Sequence, residues 1–401
     1  MLDVGLLAVL LAMLLLGKLL GDLTARLGFS ALIGQMLAGI VLGPMCLNAL
    51  VAFPAIVPDL DLLAGLAIIF IMFVMGLSID FEKVMGESLY SAVLISLLGG
   101  SITFASTAAI TALLGYSFDQ ALLVGVAFIS TSTAIGYLVL TGFGDRHSNV
   151  FKIIMAVGTS DDIYAILALA LFLAYMESGI DLKSAFSLFL LVLGFIIVVL
   201  KFGRTITDRL IDYSRRSRDD QSIISISLII LFFISFLSQS IGVASVTGAF
   251  LAGTILARSS LSYKVITPRI EAVSEGLFVP LFFVYTGMRI DIFAVLASDQ
   301  IDLYFASVPL GVVLFFGLLM AVMASKYFGT YLAGLLIGGY KELEMHKMSL
   351  AMMPMGEYTL VIGQLGLAMS LIDTRLYSVL AVVVLITSII VPVMMRTAYE
   401  G

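Results

Sequence analysis

Two adjacent acids, Asp161 and Asp162, stand inside MAVGTSDDIYAILALALFLA, a stretch otherwise apolar enough to lie in hydrocarbon. Ionisable groups at such depth are costly, and they mark ion pathways or proton relays. Removal from water disfavours each charge, and a like charge next door disfavours it further. A proton or a bound cation restores neutrality, and a carboxylate able to hold either near neutral pH is what an exchanger requires. Consecutive helical positions point about 100° apart, so one acid can face an ion site while the other faces a helix neighbour. A lone acid of this kind could serve only a buried ion pair or an interhelical hydrogen bond. The doublet, flanked by Thr159 and Ser160, favours function.

Two more ionisable residues lie deep in apolar runs. Lys326 sits in VVLFFGLLMAVMASKYFGTYLAGLLIGG, too far from either end to snorkel, so it needs an anionic partner. Asp161 is the candidate, with a purely stabilising pair to Glu357 as the alternative. Four hydroxyls, Ser130, Thr131, Ser132 and Thr133, interrupt LLVGVAFISTSTAIGYLVL, and Pro354 with Gly356 interrupts SLAMMPMGEYTLVIGQLGLAM just before Glu357. Unwound backbone frees carbonyls that, with hydroxyl and carboxylate oxygens, can coordinate a hard cation. Alone, membrane-helix hydroxyls more often bond back to their own helix; two interruptions in corresponding positions of two halves point to a transport site. Ser130, Thr133 and Glu357 are read as structural or modulatory. His147 and His346 fall in loops without cysteine partners, so no transition-metal site is expected. No GxxxxGK[ST] loop occurs, which argues against ATP-driven transport. An enzyme, a resident cofactor and a nucleic-acid partner are likewise not expected.

The elements that must hold these groups are membrane helices. Apolar residues make up 61% of the chain and charged ones 12%, against roughly 45–50% and about 25% in soluble domains. Mean hydropathy is +1.16. The continuous apolar runs exclude a barrel of alternating strands. Asp3 and the lack of a basic leader argue against a cleaved signal peptide. The lone Cys46 can form no intrachain disulfide. Thirteen spans are read, at about 3–20, 29–46, 61–78, 87–115, 119–142, 149–176, 182–203, 221–240, 242–258, 271–288, 302–338, 346–370 and 373–396. Alternating the connections puts seventeen basic residues on one side, including the cluster from Lys201 to Arg218, and only Lys183, Arg289 and Arg375 on the other. That asymmetry makes the former side cytoplasmic, with the N-terminus outside and the C-terminus inside.

The chain also repeats itself. SALIGQMLAGIVLGP in the second span is echoed by SVTGAFLAGTILAR in the ninth, and GLAIIFIMFVMGLSID in the third by GLFVPLFFVYTGMRID in the tenth. Seven spans separate each pair, so the copies cross in opposite directions: an inverted repeat of six plus six around a linker helix. Secondary transporters are often built so, with the site at the repeat interface. Recurrence of small residues in any packed bundle is the bland alternative.

These motifs, in order along essentially the whole chain, resemble the monovalent cation:proton antiporter-2 family, which joins prokaryotic sodium/proton antiporters with glutathione-gated potassium-efflux proteins. RLGFSALIGQMLAGIVLGP, IIFIMFVMGLSID, SVTGAFLAGTILA and EGLFVPLFFVYTGMRID carry the likeness, with the STST interruption, the aspartate thirty residues on, the lysine and the Gly-Glu dipeptide. The resemblance implies an all-α antiporter fold with two broken crossing helices. It implies Asp162 as the ion- and proton-binding carboxylate and Asp161 as the aspartate typical of electrogenic members, salt-bridged by Lys326. Thr131 and Ser132 would flank the transported Na⁺. It further implies a membrane-embedded homodimer, with scaffold helices one to three (1–86) and eight to ten (221–300). A core of helices four to six (87–181) and eleven to thirteen (301–401) would move as an elevator, with linker helix seven and its basic loop at 182–220. Met355 departs from the pattern, since many relatives carry arginine there.

The expected function is exchange of Na⁺ (or Li⁺) against protons, two protons per cation, for pH homeostasis at a prokaryotic cell membrane. A potassium/proton antiporter and a sodium-coupled organic-anion symporter are the alternatives.

Overall fold

The structure, a computed structural model, describes residues 4–78, 89–132, 135–136, 149–178, 190–191, 194–195, 197–199, 201, 203, 207, 209, 220–241, 245–259, 261–297, 299–303 and 306–400. The seventh span and the basic loop after it fall largely outside these residues.

Helices dominate: α1 (Val4–Arg26), α2 (Ala31–Leu42), α3 (Val57–Leu77), α4 (Leu89–Leu113), α5 (Phe118–Ala127), α6 (Asn149–Ser178), α7 (Asp220–Ser240) and α8 (Ser245–Ala257). After single π-turns at Ser262–Ile266 and Ser274–Phe278 come α9 (Thr267–Val273) and α10 (Val279–Met288). The last third holds α11 (Leu310–Ile337), α12 (Glu342–Ala351), α13 (Glu357–Ala368) and α14 (Thr374–Glu400). Among the described residues, eight helices are long and apolar enough to cross a membrane, and α2, α5 and α8 are shorter apolar helices. The chain is therefore a multi-pass, mostly helical membrane protein.

Local signals set the helix ends. Ser117 and Gln120 form a reciprocal capping box at the start of α5, each side chain accepting from the other's backbone N–H. Gly115, at φ +87°, lets the chain turn out of α4. One expected helix end is corrected. The span read as 302–338 begins instead with an antiparallel hairpin, β1 (Gln300–Leu303) and β2 (Ala306–Pro309), in register Gln300 to Pro309 and Leu303 to Ala306. Pro309 is the cause: it has no N–H to donate and stands in extended conformation as the cap of α11. The apolar character runs through it, so hydropathy alone cannot see the boundary.

Two compact units are formed. One draws on Met1–Val57, Lys83–Ala165 and Phe283–Gly401, the other on Pro58–Glu82 and Ile166–Phe282. In the first unit α2 lies against α10 through Gly39 and Gly287. A Cβ on either would strike the other helix's backbone, at the carbonyl of Val284 or of Met36. In the second unit α3 lies against α8 through Gly76 and Gly253, where a Cβ would strike the carbonyl of Phe250 or of Phe73. Only glycine permits helix axes this close.

Helix α1 shows what surrounds the protein. Leu7, Leu11, Leu15, Leu19 and Leu23 form an exposed stripe at four-residue spacing, while Leu6, Val9, Met13, Gly17 and Gly21 are buried. An outward leucine stripe requires an apolar environment.

Candidate functional site

The site lies within the first unit, where two interrupted helices cross. Helix α5 stops at Ala127, the Ile129 N–H closes a last tight turn on the Val126 carbonyl at 3.3 Å, and residues 130–132 lie outside any helix before helical backbone is seen again at 135–136. Between α12 and α13, residues 353–356 are likewise irregular. The irregular stretches pair with each other: the N–H of Ser132 donates to the carbonyl of Pro354 at 2.8 Å. Pro354 lacks an N–H, and Gly356 has its φ at −129°, within reach of any residue. What demands glycine at 356 is space, since a Cβ there would come within 2.9 Å of the Ser132 Cβ and 3.0 Å of its Cα. The side chain of Thr359, one turn into α13, donates to the carbonyl of Ala127 at 2.8 Å and so satisfies the open end of α5. The N–H of Met355 donates to Thr387 Oγ1 of α14 at 3.2 Å. Buried backbone freed by the breaks is thus re-satisfied from neighbouring helices, as hydrocarbon depth requires.

Helix α6 brings its acids to this crossing. Asp161 is buried, 2% exposed, and its Oδ2 accepts from Thr131 Oγ1 at 2.7 Å and from Lys326 Nζ at 2.8 Å. The Thr131 hydroxyl also stands 3.2 Å from the carbonyl of Met352 on the other broken segment. Lys326, 1% exposed, donates as well to the carbonyl of Ile129, just past the end of α5. Its ammonium therefore has a carboxylate and a freed helix-end carbonyl, which is how a charge survives at this depth. Of the two partners considered for Lys326, the structure gives it Asp161. Close packing of α11 on α4 sets its position: a Cβ on Gly329 would lie 2.8 Å from Gly99 Cα, and Ser325 Oγ bonds Thr103 Oγ1 at 2.9 Å.

Asp162, partly buried, has a different neighbour. Its Oδ1 accepts from Ser130 Oγ at 2.7 Å. The two carboxyls thus diverge, one toward Lys326 and Thr131 and the other toward Ser130. Asp161 Oδ1 is buried and meets no hydrogen-bond partner among the described residues. Ser132 is buried too, but its hydroxyl bonds neither aspartate and has no partner among the described residues. Glu357 opens α13 and lies beside Ser132 across a small cavity, its Oε2 likewise unpartnered. Thr133 lies outside the described residues. Among the described residues no group of three or more His, Cys, Asp or Glu could hold a resident metal ion.

Sequence reading expected freed carbonyls at the two breaks but not which ones, nor what they bond. The carbonyls of Ile129, Met352 and Pro354 hold the crossing together, yet a carbonyl is present at every position and carries no residue signature. The run of hydroxyls at 130–133 and the proline and glycine near 354 were the available signals.

Comparison with known proteins agrees with this architecture. The model of the sodium/hydrogen exchanger transmembrane family matches residues 10–398. The Na⁺/H⁺-K⁺ antiporter GerN of Bacillus cereus is 25% identical over 390 residues, covering 97% of this chain and 95% of GerN. A Na⁺/H⁺ antiporter of Enterococcus hirae is 26% identical over 394 residues, covering 96% of each. The solved structure of the sodium proton antiporter MjNhaP1 from Methanocaldococcus jannaschii superposes with a TM-score of 0.70 at 15% identity, over 99% of this chain and 97% of that one. That likeness is one of fold.

Proposed function

The chain belongs to the sodium/hydrogen exchanger family, and from that premise we propose that it exchanges Na⁺ (or Li⁺) for protons at Asp161 and Asp162. One observation carries the reading: a buried ammonium and two diverging carboxylates meet where two broken helices cross. With no cation bound, Lys326 neutralises Asp161 and a proton neutralises Asp162. An arriving Na⁺ displaces the proton from Asp162 and draws on the unpartnered Oδ1 of Asp161, with Thr131 and Ser132 as further oxygen donors. Asp161 then leaves Lys326, and an ammonium stripped of its anion in a water-poor site gives up its proton. Two protons against one Na⁺ make the exchange electrogenic. Cation and protons use the same oxygens, so a core carrying neither is left charged and crosses poorly.

The remaining architecture follows the same reading. A six-plus-six inverted repeat is supported by the two glycine contacts. Gly39 and Gly253 hold equivalent places in one repeated motif, Gly76 and Gly287 in the other. The Gly39–Gly287 contact therefore maps onto Gly253–Gly76 under the repeat, and both are present. A thirteen-helix antiporter with an elevator core (87–181 and 301–401), scaffold helices in a homodimer and the N-terminus outside completes the proposal. The leucine stripe of α1 suits lipid or a second copy equally. Potassium as the cation is the second reading, supported by the K⁺ in the name of GerN. The charged groups at the crossing are those that a bare cation needs, which disfavours an organic anion.

The test is purified protein in liposomes loaded with a pH-sensitive dye, challenged with Li⁺, Na⁺, K⁺ and Rb⁺. Na⁺ and Li⁺ should drive proton movement, and Asp162→Asn should abolish it. An Asp162→Asn variant exchanging at the wild-type rate sinks the proposal. An imposed membrane potential should change the rate, and insensitivity to it refutes the two-proton stoichiometry.

A further inference from the structure

At the crossing, beside Ser132 and Gly356, a cavity of about 20 Å³ is lined by Ser30, Ser132, Met355, Gly356, Glu357 and Ser388 and otherwise by apolar side chains. Two buried polar atoms on its wall, Ser132 Oγ and Glu357 Oε2, meet no hydrogen-bond partner among the described residues. Ser132 is 1% exposed. Ser388 is already committed, donating to the carbonyl of Val384 at 2.7 Å and lying 3.4 Å from that of Met355. Among the described residues no Lys or Arg lines the cavity, and Met355 is part of its wall. A space of this volume holds one water, provided polar groups receive it. Two such groups are present, and each is otherwise left unsatisfied at a cost that native structures rarely bear.

The geometry points to a water and proton site separate from the aspartate pair: Glu357 carries a proton throughout and shares one water with Ser132. An ionised Glu357 would keep an unpartnered oxygen at a mostly apolar wall that carries no cation among the described residues. The positive end of α13 offsets only part of that cost. Other ionisable groups near Glu357 do not change the balance. Asp162 on α6 opposes a second negative charge, Lys326 on α11 is held by Asp161, and the phenol of Tyr358 beside it offers no positive charge. A protonated Glu357 instead donates to the water, which leaves the Ser132 hydroxyl a fixed partner at the crossing. The inference deepens the proposed function: it confines the exchanged protons to Asp161, Asp162 and Lys326, and makes Glu357 a positioning residue for Ser132.

Infrared difference spectroscopy on the purified full-length protein tests this. At alkaline pH with saturating Na⁺, the aspartate carboxyls should lose their protonated-carbonyl bands, and one such band should remain. Glu357→Gln should abolish it, and Ser132→Ala should shift it without removing it. Absence of a remaining band in wild type, or its survival in Glu357→Gln, overturns the assignment of the proton. If Glu357→Gln does not fold, Ser132→Ala still decides, since an unshifted band overturns the shared water. Should Na⁺ not be the substrate, the aspartate bands will ignore it while the Glu357 band is unaffected, so the two failures are distinguishable.

Discussion

Replacing Lys326 with methionine keeps much of its volume and removes its charge, leaving Asp161 enclosed without its cation. The pair is 2.8 Å long, and its side chains are 1% and 2% exposed, so solvent screening gives little relief. Stranding one member of such a pair costs roughly 3–5 kcal/mol. The loss should depend on pH, because a proton can replace the missing ammonium. Asp161 in Lys326→Met is disfavoured as an anion, so the variant is least destabilised in acid. The deficit should therefore be larger in alkaline than in acid buffer, up to the full stranding cost. Adding Asp161→Asn removes the stranded charge and keeps a group that accepts from Thr131. The double variant should therefore recover most of the stability at alkaline pH, since neutralising both partners is often nearly neutral. The assay is unfolding of the four proteins of the cycle in detergent, in acid, neutral and alkaline buffer. A Lys326→Met variant as stable as wild type in alkali, or a double variant no better than the single, would refute the buried pair as the structure draws it.

Other substitutions probe the crossing. Gly356→Ala must push Ser132 aside, so it should destabilise the protein by roughly 1–3 kcal/mol, as overpacking does, and lower the exchange rate measured in liposomes. Thr131→Val loses a hydroxyl donated to a charged carboxylate, worth about 1.5–3 kcal/mol. Its apparent KM for the cation should rise roughly tenfold or more, while Thr131→Ser retains most of the affinity. Gly39→Ala and Gly253→Ala occupy equivalent places in the repeat and should cause similar losses of thermal stability; a large loss in only one would count against the symmetry.

Much of this site is legible in the sequence because it contrasts with its surroundings. Two acids, one lysine and a run of four hydroxyls stand out in apolar segments, and a deeply buried lysine is compelled to find an anion. The proline and glycine around Met355 mark where α12 must stop. What stays hidden depends on direction and on backbone. Ser130 and Ser132 are alike in the sequence, yet the first reaches Asp162 and the second bonds neither aspartate, because the irregular backbone there has no fixed side-chain period to read. The hairpin before α11 is hidden for another reason. Its second strand, Ala306–Pro309, runs without a charged residue into the apolar helix that follows, and Pro309 alone marks where one ends and the other begins.

The central claim is that cation and protons compete for the same carboxylates. Calorimetric titration of Na⁺ into the detergent-solubilised protein, repeated in buffers of different ionisation enthalpy, counts the protons released per ion bound. The account predicts that binding weakens as the pH falls, that protons leave as Na⁺ enters, and that Asp162→Asn abolishes both binding and release. Na⁺ binding with no proton released, at an affinity indifferent to pH, would contradict it.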